Sequence, residues 1–115
     1  MSEILKNDFI HDENGILIWN LSPMEGETCT WSGGNVDGFA DGKGKLVWFF
    51  QGKKIAEYSG EMKAGKCHGR GIYRFFDGDV YEGEWNNGLR EGFGKHVFSD
   101  GRIYEGKWEN DKRVE

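Results

Sequence analysis

Cys67-His68 brings together the two residue types best suited to nucleophilic chemistry. A thiol needs its base within hydrogen-bond reach, and neighbours on a strand point to opposite faces, so the two cannot readily serve each other. Cys29, Cys67, His68, His96 and His11 could supply soft metal ligands, but no Cys-x-x-Cys or comparable ligand spacing occurs among them. Asp37-Gly-Phe-Ala-Asp41-Gly42 has the outline of a calcium loop, yet Phe39 occupies a ligand position and Trp48 stands where the bidentate Glu belongs. Gly42-Lys-Gly-Lys45 is followed by Leu46 in place of the Ser or Thr of a phosphate loop, and no helix is expected after it. Glu82 and Glu84 share a face, but a solvated one, which suits neither a general acid nor a general base. No catalytic residue, metal site or cofactor is therefore assigned, and an enzyme is not expected.

The elements that carry these residues repeat. Tyr58-Ser-Gly60-Glu61-Met62, Tyr81-Glu-Gly83-Glu84-Trp85 and Tyr104-Glu-Gly106-Lys107-Trp108 stand 23 residues apart. A second phrase recurs between them: Gly69-Arg-Gly71-Ile-Tyr73-Arg-Phe75-Phe76-Asp77-Gly78, then Gly92-Phe-Gly94-Lys-His96-Val-Phe98-Ser-Asp100-Gly101. A fixed period of this length marks a stack of small units that bury their apolar faces on one another. Strand parity places Tyr81, Gly83 and Trp85 on one face, with Gly92, Gly94, His96 and Phe98 on the same face of the return strand. Glu61, Arg74, Glu82, Glu84, Lys95, Glu105 and Lys107 fall on the other face, where they read as cross-strand charge pairs that keep the sheet solvated. Glycine weakens a strand, so its recurrence on the ring-bearing face implies notches in which a neighbouring ring lies against backbone. Asn87-Gly88, Asp77-Gly78 and Asp100-Gly101 read as tight turns. A looser unit runs from Trp31-Ser-Gly33 through Gly42-Lys-Gly44-Lys-Leu46-Val-Trp48 and carries about four extra residues before Glu57, which predicts a longer hairpin there.

Of 115 residues, 19 are Gly and one is Pro, and 15% are aromatic. That composition favours strands and turns over helices. The net charge of -5 argues against nucleic-acid binding and against simple attraction to anionic lipid. Two cysteines make no disulfide framework, no apolar run reaches the ~18 residues of a membrane helix, and the polar opening of the chain is unlike a secretion leader. A soluble, cytoplasmic protein is expected. Residues 1–30 fit no repeat. Asn14-Gly15 reads as a turn and Ile16 to Leu21 as a strand, while Glu3 to Ile10 suits a short helix or no regular structure. The segment is expected to cap one end of the stack.

These residues resemble the MORN (membrane occupation and recognition nexus) repeat family. Its pattern is Tyr-x-Gly-x-Trp/Phe-x-x-Gly-x-x-His-Gly-x-Gly, closed by Asp-Gly. Tyr58 to Gly78 follows it with Gly60, Gly65, His68, Gly69, Gly71, Asp77 and Gly78, Met62 replacing the aromatic residue. Tyr81 to Gly101 follows it with Gly83, Trp85, Gly88, Gly92 and Gly94, and with Glu91 in place of His. In the looser unit Asp41 replaces His and Gln51 replaces Asp. The boundaries expected are a cap over 1–30, then a repeat domain over 31–115 with a degenerate unit 31–57, units 58–80 and 81–103, and a half unit 104–115 that lacks its return strand. The resemblance implies an all-β fold: an elongated, twisted antiparallel sheet of consecutive hairpins.

It also implies a non-enzymatic scaffold or protein–protein interaction module. The expected partner-binding rings are Tyr58, Tyr73, Tyr81, Trp85, Tyr104 and Trp108; Gly60, Gly69, Gly71, Gly83, Gly92, Gly94 and Gly106 are the structural glycines. The expected partner is a protein or peptide, and a homodimer through an exposed edge strand is open to it. Two alternatives stand beside this: association with a phospholipid surface, which the acidic charge disfavours, and binding of a small cationic ligand or carbohydrate by the rings.

Overall fold

Five two-residue turns set the frame of the molecule. Asp37-Gly38, Gln51-Gly52, Ala64-Gly65, Asn87-Gly88 and Asn110-Asp111 all have positive φ at both positions. That is the mirror-image turn whose twist matches the flanking strands. The computed structural model describes residues 9–20 and 25–114. In chain order the strands are β1 (Phe9–His11), β2 (Leu17–Trp19), β3 (Glu27–Trp31), β4 (Gly34–Val36), β5 (Phe39–Phe50), β6 (Lys53–Lys63), β7 (Lys66–Phe75), β8 (Val80–Asn86), β9 (Leu89–Val97), β10 (Ile103–Glu109) and β11 (Lys112–Arg113). They form one open sheet in the order β1-β2-β5-β6-β7-β8-β9-β10-β11, with β3 and β4 both paired to β5. All pairings are antiparallel except β2 with β5, where Leu17 lies beside Phe39 in parallel. With so few units the array extends over 37 × 34 × 25 Å.

Two cross-strand rows explain the sequence pattern. Gly44, Gly60, Gly71, Gly83, Gly94 and Gly106 stand opposite one another in series across β5 to β10. Beside them runs the row Leu46, Tyr58, Tyr73, Tyr81, His96 and Tyr104. Tyr58 leans over Gly60 and Gly71, and Tyr81 over Gly83 and Gly94. A β-carbon on Gly60 would lie 2.8 Å from the Tyr58 hydroxyl, and one on Gly83 would lie 2.7 Å from that of Tyr81. Each ring thus fills two notches, one two residues later on its own strand and one on the neighbouring strand. Each hydroxyl then donates to a backbone carbonyl: Tyr58 to Glu61 at 2.6 Å, Tyr81 to Glu84 at 3.0 Å, and Tyr104 to Lys107 at 3.1 Å.

Several expectations are corrected. Glu61 and Glu84 are not simply solvated charges. The register slips at each of them, and their carboxylates accept the backbone N–H of Arg70 at 2.9 Å and of Phe93 at 2.8 Å. Register sets Glu82 opposite Lys95, and Lys95 opposite Glu105, but the ion pairs of the described residues lie elsewhere, such as Arg90–Asp111 at 2.6 Å and Lys45–Glu57 at 3.4 Å. The last unit does have a return strand: β11 sets Arg113 opposite Trp108. Asp77-Gly78 and Asp100-Gly101 sit in hairpin loops longer than two residues. There each Asp carboxylate accepts the N–H two residues on, at 2.9 and 3.0 Å. The longer hairpin is β5–β6, with an irregularity between Trp48 and Phe49.

The N-terminal segment lies differently from an end cap. Leu17 N–H donates to the Gly38 carbonyl and Trp19 N–H to that of Gly65, both at 2.8 Å. The Trp19 ring packs against Gly88. β2 therefore runs along the row of turns, down the side of the array. The predicted strand from Ile16 to Leu21 is observed as Leu17–Trp19, Leu21 lying outside the described residues, as does most of Glu3 to Ile10. Phe9 and Ile10 are strand. β3 begins at Glu27, so the first hairpin starts inside the region assigned to the cap.

Candidate functional site

Most of the predicted docking rings form the core. Tyr58 and Tyr81 are 0% exposed, and Trp85 and Trp108 are also buried. Tyr73 and Tyr104 are half-buried. The rings interlock in a relay: Trp85 stands edge-on to Tyr58 at 5.7 Å and to Tyr81 at 5.1 Å, and Trp108 stands edge-on to Tyr81 at 5.3 Å and to Tyr104 at 5.6 Å. Such edge-to-face contacts add roughly 0.5–1.5 kcal/mol each beyond burial. Burial pushes the Tyr81 phenol up to about 12 and raises those of Tyr58 and Tyr73 as well. These rings stay neutral and fixed in place.

Gly69 and Gly92 have φ of +71° and +86° and face the register slips, packed against the carboxylates of Glu61 and Glu84. Gly71, Gly94 and Gly106 underlie tyrosine rings. The position that varies between His and acid also finds its reason. Asp41 accepts the N–H of Ala64 at 3.5 Å, His68 Nδ1 that of Asn87 at 3.5 Å, and Glu91 that of Asn110 at 3.3 Å. What the turn needs there is an acceptor for its first N–H. Imidazole and carboxylate both supply one.

One part of the ring-bearing face remains open. Between β2 and the sheet lies a cavity of about 270 Å³ whose floor includes Leu46, Trp48, Met62, Tyr73 and Trp85. Trp19 closes its turn side, and Glu27 and Lys66 stand among its lining residues. Asn20 donates to Glu27 at 2.8 Å, and the Lys66 ammonium rests 4.9 Å from the centre of the Trp19 ring. Cys67 also lines the cavity; burial pushes its thiol up to about 12, as it does that of Cys29, so neither is a nucleophile near neutrality. Of the predicted docking rings, only Tyr73 and Trp85 reach this cavity. Sequence parity identified the face, but not the strand that closes its side. Trp19, Glu27 and Lys66 carry no repeat signal, and only the register of β2 on the turns brings them in.

A second feature lies on the opposite rim. Phe76 is 80% exposed at the tip of the β7–β8 hairpin, beside Phe75, Lys54 and Arg74. Among the described residues no helix is long and apolar enough to cross a membrane.

No curated protein matches the chain. The family model of the MORN repeat matches residues 30–49, 58–80, 81–101 and 104–114. These segments coincide with the glycine–tyrosine hairpins and include β3 to β11 in large part. Repeats of this kind are generally associated with membrane- and protein-interaction modules, and the family is not a known enzyme family. On that match, and on the hairpins that carry it, the chain belongs to the MORN repeat family.

Proposed function

We propose that the protein is a non-enzymatic interaction module that docks a peptide segment of a partner protein in the groove between β2 and the ring-bearing face. The observation that carries this is the cavity itself: an apolar, ring-floored space left open on the face where Tyr81, Trp108 and Tyr104 are packed on one another. Aromatic anchors in such pockets supply much of the energy of an interface. Cross-strand packing holds the floor rigid, so little ordering has to be met on binding. Glu27 and Lys66 give the mouth both signs of charge, which can fix the direction of a docked chain.

Selection of a displayed peptide library tests the reading. The expected result is a set of enriched peptides that bind the native protein and Phe76→Ser alike, and that lose binding when Ile55→Glu charges the groove wall. Peptides that bind Ile55→Glu as well as the native protein would remove the groove from the account.

The exposed Phe76 tip supports a second reading, contact with an anionic membrane surface. An apolar tip flanked by Lys54 and Arg74 has the chemistry of an interfacial anchor. Flotation with vesicles containing phosphatidylserine at low salt should then depend on Phe76. No co-flotation disposes of it.

A further inference from the structure

Position 67 of the repeat holds Cys, while the equivalent positions 90 and 113, each 23 residues on, hold Arg. The two arginines behave alike. The Arg90 guanidinium lies 4.2 Å from the centre of the Trp108 ring and 5.7 Å from that of Tyr81. The Arg113 guanidinium lies 5.0 Å from that of Tyr104. Each seats a planar cation on the ring-bearing face, opposite the residue that ends the Tyr-x-Gly strand: Arg90 faces Trp85 and Arg113 faces Trp108. Cys67 faces Met62 in the same way, and the rings related to it by the repeat are Tyr58 and Trp85. No long side chain extends from Cys67, and it is here that the cavity opens, lined by both Cys67 and Trp85. Among the described residues no cation of the chain lies over Trp85. Lys66, next in sequence, turns its ammonium to Trp19 instead.

From this we infer that the cavity takes the guanidinium of an arginine side chain carried by the docked peptide. The inference rests on the groove being a docking site and names what enters it. Two copies of the repeat already display the interaction within the chain, while Cys67, like Ala40 at the same place in the looser unit, lacks the side chain that would make it. A planar guanidinium stacks on indole and phenol faces and is more weakly hydrated than an ammonium, which suits a largely apolar recess. Glu27, at the same cavity, supplies the countercharge, and Lys66 on Trp19 sets a cost for a second cation that enters from the β2 side.

The test uses the full chain and two blocked pentapeptides, Gly-Leu-Arg-Leu-Gly and its citrulline counterpart, which keeps the shape and removes the charge. Titration followed by tryptophan fluorescence should saturate, with the arginine peptide preferred about tenfold. Cys67→Arg, which supplies the arginine of the two later units, should abolish binding while its circular dichroism and melting remain native-like. Glu27→Gln should reduce the preference for arginine, and it serves if Cys67→Arg does not fold. Equal affinity for the two peptides overturns the inference and leaves a docking groove indifferent to charge. Saturation by neither peptide up to about 10 mM also overturns it, while peptides that the library selects and Ile55→Glu loses would still uphold the groove.

Discussion

Replacing Gly94 by Ala tests whether a tyrosine ring lies flat on the glycine row. Gly94 faces Gly83 on β8 and Gly106 on β10, and its φ is not positive, so alanine meets no backbone penalty there. The obstacle is steric. The new β-carbon would overlap the Tyr81 ring, with Cε1 and Cζ at 2.5 Å. Tyr81 is fully buried between Trp85 and Trp108, and its hydroxyl is held by the Glu84 carbonyl. Either the strands part, at an overpacking cost of about 1–3 kcal/mol or more, or the ring leaves, at about 3–5 kcal/mol. We expect a loss of about 3 kcal/mol and a fall in Tm of about 10 °C. Gly101→Ala is the control. Its φ of +95° disfavours alanine, but nothing lies within 4 Å of the added atom, so the loss should be about 1–2 kcal/mol. Urea unfolding at equilibrium gives both values. In a Tyr81→Leu background the cost of Gly94→Ala should fall to about 1 kcal/mol, a coupling of about 2 kcal/mol. If Gly94→Ala costs no more than Gly101→Ala, or costs the same with and without the Tyr81 ring, the proposed packing of ring on glycine is wrong.

Other consequences follow from named contacts. Tyr81→Phe removes the donor to the Glu84 carbonyl in the core and should cost about 1–2 kcal/mol, whereas Tyr104→Phe, at the half-buried end of the row, should cost about half as much; equal losses in urea unfolding would contradict the burial gradient. The Ser99 amide N–H, then His96, holds the Asp79 carboxyl below its usual range. A carboxylate with a lowered folded-state pKa gives stability that is present above the unfolded value of about 3.9 and is lost as pH falls from there through the folded value. Asp79→Asn should therefore flatten the acid limb of a stability profile between about pH 5 and 2, and an unchanged limb would count against the contact. The Cys29 thiol, buried and raised to about 12, should react with an aromatic disulfide at pH 8 at least about 100-fold more slowly than in the urea-unfolded chain, and comparable rates would show that it is not buried.

The repeat period carried the hairpins, the face on which the rings lie and the glycine notches, because each of these is a local consequence of strand parity and turn chemistry. Two kinds of feature escaped. Glu61 and Glu84 read as surface charges, since nothing in alternation reveals that an extra residue breaks the register at those points and turns the carboxylate onto a backbone N–H. The position of β2 escaped for a different reason. Its short strand docks by backbone carbonyls of Gly38 and Gly65, which any sequence offers, so Trp19 and Lys66 gave no sign of closing a groove. Tyr58, Tyr81 and Trp108 are exposed on any single hairpin and buried only when the hairpins stack. Composition counts rings but not their neighbours. The Cys67 column could have been found, since aligning the units by their tyrosines sets it directly against Arg90 and Arg113.

The five tryptophans give the most direct test of the groove, because their indole N–H groups are separate reporters of its inside and outside. Trp19, Trp48 and Trp85 line the cavity, whereas Trp31 donates to the Gly34 carbonyl and Trp108 lies under Arg90. In a ¹H–¹⁵N spectrum recorded during titration with the Gly-Leu-Arg-Leu-Gly peptide, the signals of Trp19, Trp48 and Trp85 should move together, and those of Trp31 and Trp108 should stay in place. Movement centred on Trp31 or Trp108, with the other three unmoved, would contradict the account.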